Sequence, residues 1–310
     1  MLPSTSREIR GICVGIDLGG SKIRAAAADT AGTIIAESTE PTDHNGGRSV
    51  LDQIGRIVEQ LQKTAGQALG CVAIGSPGVM DSQGRFQLSF NIDQLSDLHL
   101  ADELRFRLGA AVVVENDVNM AALGELWQGL GRGHRDFAIL SVGTGLGMGL
   151  VLNGRLYKGA RGFAGEVAYL PLGGNPQDPA SRRVGTLESV VGTYGILNRF
   201  HARGGSATDV ADVFAQAGSG DLGAARVVRD SAELLAASIL AICSVVDPEL
   251  VIMTGGIGSD PMLIELMRAE FDRISPHPVA IERSQLGERA GVVGAVAAAV
   301  FGPTLTESAL

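Results

Sequence analysis

The 310-residue sequence predicts an α/β protein of two similar domains, and two observations carry that expectation. Each half opens the same way, with an apolar strand, a glycine turn and two further short strands, and then runs on into helices and another apolar strand. Glycine, 43 of the 310 residues against a usual ~7%, gathers in short loops at the ends of those apolar runs. An internal duplication of this kind implies two α/β units whose glycine turns meet at a cleft. The alternative is one mixed sheet with two unrelated hairpins.

The elements follow in order. The apolar, partly β-branched segment 11–18 reads as a strand, interrupted by Gly19-Gly20 and followed by short strands over 22–28 and 33–38. From 48 to 69 the residues Val50, Leu51, Ile54, Ile57, Val58 and Leu61 recur at steps of three and four, as an amphipathic helix requires. A strand over 71–75, a short helix near 98–108 and a buried strand over 111–115 come next. That strand ends in polar Asn116-Asp117 before a helix over 118–127. The second half opens with a strand over 137–142, the turn Gly143-Thr144-Gly145, and strands over 146–152 and 154–157. A helical pattern over 189–200, loops over 203–207 and 217–220 and a strand over 250–253 complete it. The domain boundary is placed near Asn116, giving 1–116 and 117–290, with a C-terminal helix over 291–310 expected to complete the first domain.

Charge and cysteine content exclude several classes. With 25 Lys and Arg against 34 Asp and Glu, the net charge is −9 and the pI about 5.1. The chain lacks the basic field that nucleic acid or an anionic membrane requires. The longest uncharged apolar run, Leu234 to Val246, has thirteen residues, where a span needs about 20, and the first ten residues lack the apolar core of a signal peptide. Cys13, Cys71 and Cys243, odd in number and far apart, fit reduced thiols in a cytoplasm. His44, His99, His134, His201 and His277 fit no spaced ligand motif and read as surface or loop residues; Trp127 reads as core or interface.

The chemistry-bearing residues lie at the glycine clusters. Gly15-Ile16-Asp17-Leu18-Gly19-Gly20-Ser21-Lys22 sets a carboxylate at a strand end, then two residues without a Cβ, then a hydroxyl and a cation. Successive backbone amides free of side chains form a nest for phosphate oxygens, and Asp17 is placed to hold a hydrated Mg²⁺ against them. The loop is neither a Walker A loop nor GxGxxG. A hairpin turn with an exposed Asp is the competing reading. The second loop, Gly143-Thr144-Gly145, repeats the design, and Gly145, Gly147 and Gly149 at alternate strand positions imply that something approaches that face, either a ligand or a packed element. Asp117 emerges at the carboxyl end of a buried strand, where open α/β sheets place ligands, though Asn116 and Asp117 equally suit a helix N-cap. Glu166 and Glu188 add carboxylates near turns, suited to accepting hydrogen bonds from vicinal sugar hydroxyls. Glu188 also suits a helix N-terminus.

The motifs GIDLGGSK, SPGVMD, VENDVNMAALGE, SVGTGLGMGLVLNG, AGEVAY, GTLES and VIMTGGIG, in this order from Gly15 to Gly258, resemble those of the ROK family of sugar kinases, repressors and related proteins. The resemblance covers nearly the whole chain and is specific as a set. It implies the actin-like ATPase fold, a duplicated ribonuclease-H-like domain with ATP and sugar in the cleft. By motif match Asp117 is similar to the family's catalytic base. Asn116, Glu166 and Glu188 resemble its sugar ligands, as does Asn91. Asp17, Gly19 and Gly20, with the adjoining Ser21 and Lys22, and the Gly143-Thr144-Gly145 turn match its phosphate loops, and Gly255-Gly256 resembles the loop beside the adenosine. The implied reaction is transfer of the γ-phosphate of Mg²⁺-ATP to a hexose hydroxyl, the 6-hydroxyl of glucose or a related hexose or amino sugar, by a homodimer.

Two departures from the pattern stand out. Family kinases read Gly-His after the AGE motif and carry a cysteine-rich zinc loop, whereas this chain has Ala168-Tyr169 and no Cys or His from Pro171 to Glu188. Structural zinc is therefore not expected, since its ligands are missing, and Tyr169 offers a phenolic hydroxyl to the sugar instead. With ten residues before Gly11, the helix-turn-helix of repressor members is not expected. A sugar-binding regulator without catalysis and an actin-like ATPase without a sugar acceptor remain as rival readings.

Overall fold

The fold starts from a strand with almost no polar side chain: β1 (Ile12–Leu18) carries only Asp17 and is buried along nearly its whole length, as a strand covered on both faces must be. The computed structural model, which describes residues 11–80, 86–88 and 99–302, continues through β2 (Lys22–Ala28), β3 (Ile34–Pro41), α1 (Gly47–Ala65), β4 (Leu69–Ser76), β5 (Val79–Met80), β6 (Phe86–Leu88), α2 (Leu100–Leu108), β7 (Ala111–Asn116) and α3 (Asp117–Gln128). After these come β8 (Phe137–Val142), β9 (Leu146–Leu152), β10 (Arg155–Leu156), α4 (Pro179–Val184), α5 (Glu188–Val191), α6 (Thr193–His201), α7 (Val210–Gly218), α8 (Leu222–Val246), β11 (Leu250–Thr254), α9 (Pro261–Ile274), β12 (Ala280–Arg283) and α10 (Ala290–Phe301).

The duplication read from the sequence is present in the sheets. The first has the order β3-β2-β1-β4-β7 and the second β10-β9-β8-β11-β12, the same order position by position. In the first, β1 and β2 pair antiparallel, as do β2 and β3, while β1, β4 and β7 run parallel. In the second, β8, β11 and β12 run parallel and β10 is antiparallel to β9. The β9–β10 hairpin turns at Asn153-Gly154, both at positive φ, the pair of conformations that a two-residue hairpin turn prefers.

The chain divides into two compact units, the first Met1–Arg135, Gly149–Ala164 and Arg289–Leu310, the second Asp136–Met148 and Gly165–Glu288. The boundary expected near Asn116 therefore falls after Arg135 instead. Helix α3 packs on α10, and that contact keeps it with the first unit. Two further expectations need correction. Helix α1 ends at Ala65 and does not reach Leu69, because Gly66 adopts left-handed φ (64°) and returns its N–H to Gln62, freeing Leu69 to begin β4. The single helix expected over 189–200 is broken at Gly192, which is extended and so ends α5 and starts α6.

In the first unit α1 buries Val50, Leu51, Ile54, Ile57, Val58 and Leu61 in a core with Ile12, Val14 and Ile16 of β1. Helix α10 packs on β1 as well, at a distance set by glycine. A Cβ on Gly15 would overlap the backbone nitrogen of Val296, one on Gly124 the carbonyl oxygen of Ala290, and one on Gly294 the carbonyl oxygen of Met120. Trp127, at the end of α3, meets Phe301 of α10 edge to face at 5.6 Å. The three cysteines are free thiols, with the sulfurs of register partners Cys13 and Cys71 3.2 Å apart. His44, His99, His201 and His277 are exposed, and His134 sits half-buried beside the Leu130 carbonyl. No described helix is long and apolar enough to cross a membrane.

Two glycine substitutions on helices of this unit are expected to act in opposite directions. Gly294→Ala forces α10 away from α3 and is expected to lower unfolding free energy by about 1–3 kcal/mol, the usual cost of overpacking. Gly55→Ala, where an added Cβ meets nothing within 4 Å, is expected to raise it by about 0.5–1 kcal/mol. Urea titration of the two variants against wild type measures both.

Candidate active site

In the first unit the parallel strands β1, β4 and β7 present their carboxyl ends at one edge of the sheet, the usual ligand edge of an α/β sheet. Asp17 lies one residue from the end of β1, and Gly19-Gly20-Ser21 connects it to Lys22 at the start of β2. The turn is pinned from outside the motif. Thr42 donates its hydroxyl to the Gly19 carbonyl at 2.6 Å and its N–H to the Ser21 carbonyl at 3.1 Å, leaving Gly20 and Ser21 exposed. Asp17 faces its register partner Arg24 across the hairpin at 3.7 Å. On another side it rests on the first turn of α10, where a Cβ on Gly291 would come within 2.8 Å of the Asp17 carboxyl carbon. The cradle is carboxylate-sized, and a helix N-terminus favours the negative charge.

The corner between β7 and α3 resolves the capping question. Asn116 is the N-cap: its Oδ1 accepts from the N–H groups of Val118 (2.9 Å) and Asn119 (3.1 Å), and its Nδ2 donates to the Gly78 carbonyl at 3.0 Å. Asp117 is the first helical residue, with Oδ1 accepting from Val118 N–H at 2.9 Å. Removal from water pushes the Asp117 carboxyl up from the ordinary carboxylate value, offset in part by the backbone N–H groups of Val118 and Asp117 itself. Beneath the corner lies Glu115, buried, a residue the sequence reading passed over.

In the second unit the Gly143-Thr144-Gly145 turn closes with Gly143 N–H on the Gly145 carbonyl at 2.9 Å. Thr193, opening α6, holds it by donating both its N–H (3.1 Å) and its hydroxyl (3.2 Å) to the Gly143 carbonyl. Gly255 follows β11 at φ 82°, where a Cβ would overlap the Val142 carbonyl oxygen. A Cβ on Gly143 would meet only the Gly256 nitrogen, at 3.9 Å, and one on Gly256 would meet nothing. The two predicted nucleotide loops thus lie side by side at the ends of neighbouring parallel strands, with open space over Gly143 and Gly256.

Glu188 approaches the same turn. Its Oε2 accepts the Leu146 N–H at 2.8 Å and would lie 3.1 Å from a Cβ on Gly145, so the close approach expected at Gly145 is by this carboxylate. Burial raises the Glu188 carboxyl, and the Leu146 N–H works against that rise. Glu166 precedes a 3-10 turn, Val167–Tyr169, which brings Tyr169 round. Burial and then the charges of Glu166 and Glu188 push the Tyr169 phenol up, which places the three residues in one electrostatic neighbourhood. The Tyr169 hydroxyl reaches the Arg183 carbonyl at 3.4 Å. Asn91 lies outside the described residues. Among the described residues no three His, Cys, Asp or Glu side chains are grouped as a metal site. In the segment before Glu188 the Asn175 side chain donates to Asp178 at 3.1 Å, Pro179 opens α4, and Thr186 is buried.

A sequence profile described as ROK family matches residues 13–300. The chain is 32% identical over 305 residues to a glucokinase of Thermotoga maritima, covering 91% of this chain and 95% of that one. It is 30% identical over 300 residues to an N-acetyl-D-glucosamine kinase of Salmonella newport, covering 91% and 97%. The crystal structure of a ROK family glucokinase from Streptomyces griseus in complex with glucose and AMPPNP superposes with a TM-score of 0.78 at 29% identity, covering 93% of this chain and 99% of that one.

The hydrogen-bonded ordering of 171–187 carries an expectation about metal content. Protein purified without added zinc and dialysed against a chelator is expected to hold substoichiometric zinc by elemental analysis and to keep its melting temperature. Stoichiometric zinc that survives the chelator would refute it.

Proposed function

The chain belongs to the ROK family and has the actin-like ATPase fold, and from that premise we propose that it transfers the γ-phosphate of ATP to the 6-hydroxyl of glucose or a related hexose or amino sugar, with Asp117 as general base. It is a carbohydrate kinase; the sugar and the residue roles are the proposal. The observation that carries it is the β7–α3 corner. Capping falls to Asn116, so Asp117 keeps Oδ2 outside the cap, and desolvation makes its carboxylate a stronger base than in water.

On this reading each residue has a task. Asp117 takes the proton of the attacking hydroxyl. Asn116, whose Oδ1 already accepts two N–H groups, contributes its remaining Nδ2 proton. Glu166 and Glu188 accept from sugar hydroxyls, and Tyr169 adds a phenol beside them. The Gly19–Gly20, Gly143–Gly145 and Gly255–Gly256 turns, with Ser21, Lys22 and Thr144, are assigned to the nucleotide. Asp17 would hold Mg²⁺, and the cradle left by Gly291 fits a carboxylate kept in one orientation for that purpose. Magnesium held there would supply positive charge to offset the charge developing on the transferring phosphoryl group. The enzyme's own contribution is positioning and electrostatics, without a covalent intermediate.

Release of ADP, followed by a coupled assay across hexoses and amino sugars, is expected to depend on both Mg²⁺ and a sugar. Rapid hydrolysis unchanged by every sugar would point to an ATPase, and silence with all of them to a binding protein. Asp117→Asn is expected to lower kcat by about 10²- to 10⁴-fold with kcat/KM falling in parallel. Its melting temperature at neutral pH should hold or rise, since the variant removes a charge that burial penalises. A kcat within a few-fold of wild type would remove Asp117 from the reaction.

The raised Asp117 carboxyl also sets a pH dependence. As pH falls through its elevated pKa the base becomes protonated, so kcat/KM is expected to drop on an acid limb whose midpoint lies above the ordinary Asp value of about 3.9. The stability contribution has the opposite sign, because an acid with a raised folded pKa destabilises the fold above that pKa and ceases to as pH falls through it.

A further inference from the structure

Lys158 belongs to none of the motifs, yet its ammonium reaches the corner that carries Asp117. The Glu115 side chain is 12% exposed, and Lys158 Nζ lies 3.0 Å from its Oε2. The other oxygen, Oε1, accepts the Asn116 N–H at 2.9 Å and the Asn119 side-chain amide at 3.0 Å. One carboxylate therefore ties the peptide entering Asn116 and the first turn of α3 to a cation from elsewhere in the first unit. Lys158 is delivered with little freedom. Tyr157 N–H donates to the Leu150 carbonyl at 2.7 Å, extending the β9–β10 pairing to the residue before it, and Ala164 N–H closes a loop onto the Lys158 carbonyl at 3.1 Å.

We propose that Lys158 is a positioning residue for the phosphoryl-transfer base: by pairing with Glu115 it holds the Asn116–Asp117 peptide and the start of α3 in the orientation from which Asp117 acts. The inference rests on Asp117 being that base. The pair itself is half open to solvent on the lysine side, and such pairs contribute little to stability. Glu115 is different, because removing the cation beside a carboxylate this buried leaves its charge to two amide donors alone. Glu115 then gains by turning toward water, and the Asn116 N–H and Asn119 amide lose their acceptor. A shift of the corner by a fraction of an ångström penalises a proton transfer far more than it penalises binding.

The test compares Lys158→Met, Lys158→Arg and the double variant Lys158→Met with Glu115→Gln, measuring kcat, both KM values and melting temperature. Lys158→Met is expected to lower kcat by about 10- to 100-fold while the KM for nucleotide stays within about threefold. Lys158→Arg should restore most of the loss. So should the double variant, because Gln keeps an oxygen for the Asn116 and Asn119 protons without burying a charge. A kcat for Lys158→Met within about twofold of wild type, or a loss that neither rescue recovers, overturns the proposal. Asp117→Asn run in parallel separates the two readings. If Asp117→Asn abolishes turnover and Lys158→Met is silent, only the role of Lys158 falls; if Asp117→Asn is harmless, the base assignment falls and this inference with it.

Discussion

The close seat of α10 against β1 and α3 is the constraint on which the first unit depends. It requires glycine at 15, 124 and 294, since a Cβ at any of the three would occupy backbone of the facing element. The consequence reaches the candidate site directly. With the helices in backbone contact, the N-terminal turn of α10 lies under Asp17, and α3 is fixed at the angle that puts Asn116 and Asp117 at the ligand edge of the sheet. Side-chain packing alone would hold the helices about 8–10 Å apart, and looser seating would leave the carboxylate of Asp17 without its cradle.

The second unit solves a similar problem with hydrogen bonds. Its glycine turn is held by Thr193 from α6 and, one residue later, by Glu188 from α5 through the Leu146 N–H. The break at Gly192 is what allows α5 and α6 to bring both residues to the turn, since its extended backbone separates a helix that starts at Glu188 from one that starts at Thr193. Glu188 therefore has one oxygen engaged by the turn it borders. A group bound to that carboxylate would be coupled mechanically to the Gly143–Gly145 turn.

Much of this was legible in the sequence because it is local. Apolar runs gave every strand of the first sheet and four of the five in the second, glycine clusters gave the turns, and a polar pair at the end of Ala111–Glu115 marked the β7–α3 corner; β12, with only Ile281 buried, carries no such run. What escaped was set by partners distant along the chain. Thr42 and Thr193 pin the turns, yet each lies more than twenty residues from the turn it holds. Gly291 matters only because Asp17 rests on it, which no helical period reveals. Arg24 was within reach, since a hairpin turning at 19–21 pairs it with Asp17. The boundary at Asn116 failed for a related reason: α3 follows the first sheet in sequence, but its allegiance is decided by α10, which starts only at Ala290.

The saturated cap at Asn116 also gives the corner a polarity. Its oxygen is filled by two helix amides and one of its amide protons by Gly78, so the side chain has only a donor left to offer. Its neighbour Asp117, when ionised, can only accept. A hydroxyl touching both is left one arrangement, receiving from Asn116 and giving to Asp117. For a hydroxyl bound as proposed, the pair would work as a one-way valve for the proton, and an ether or carbonyl oxygen in the same place, having nothing to give, would leave the carboxylate unanswered.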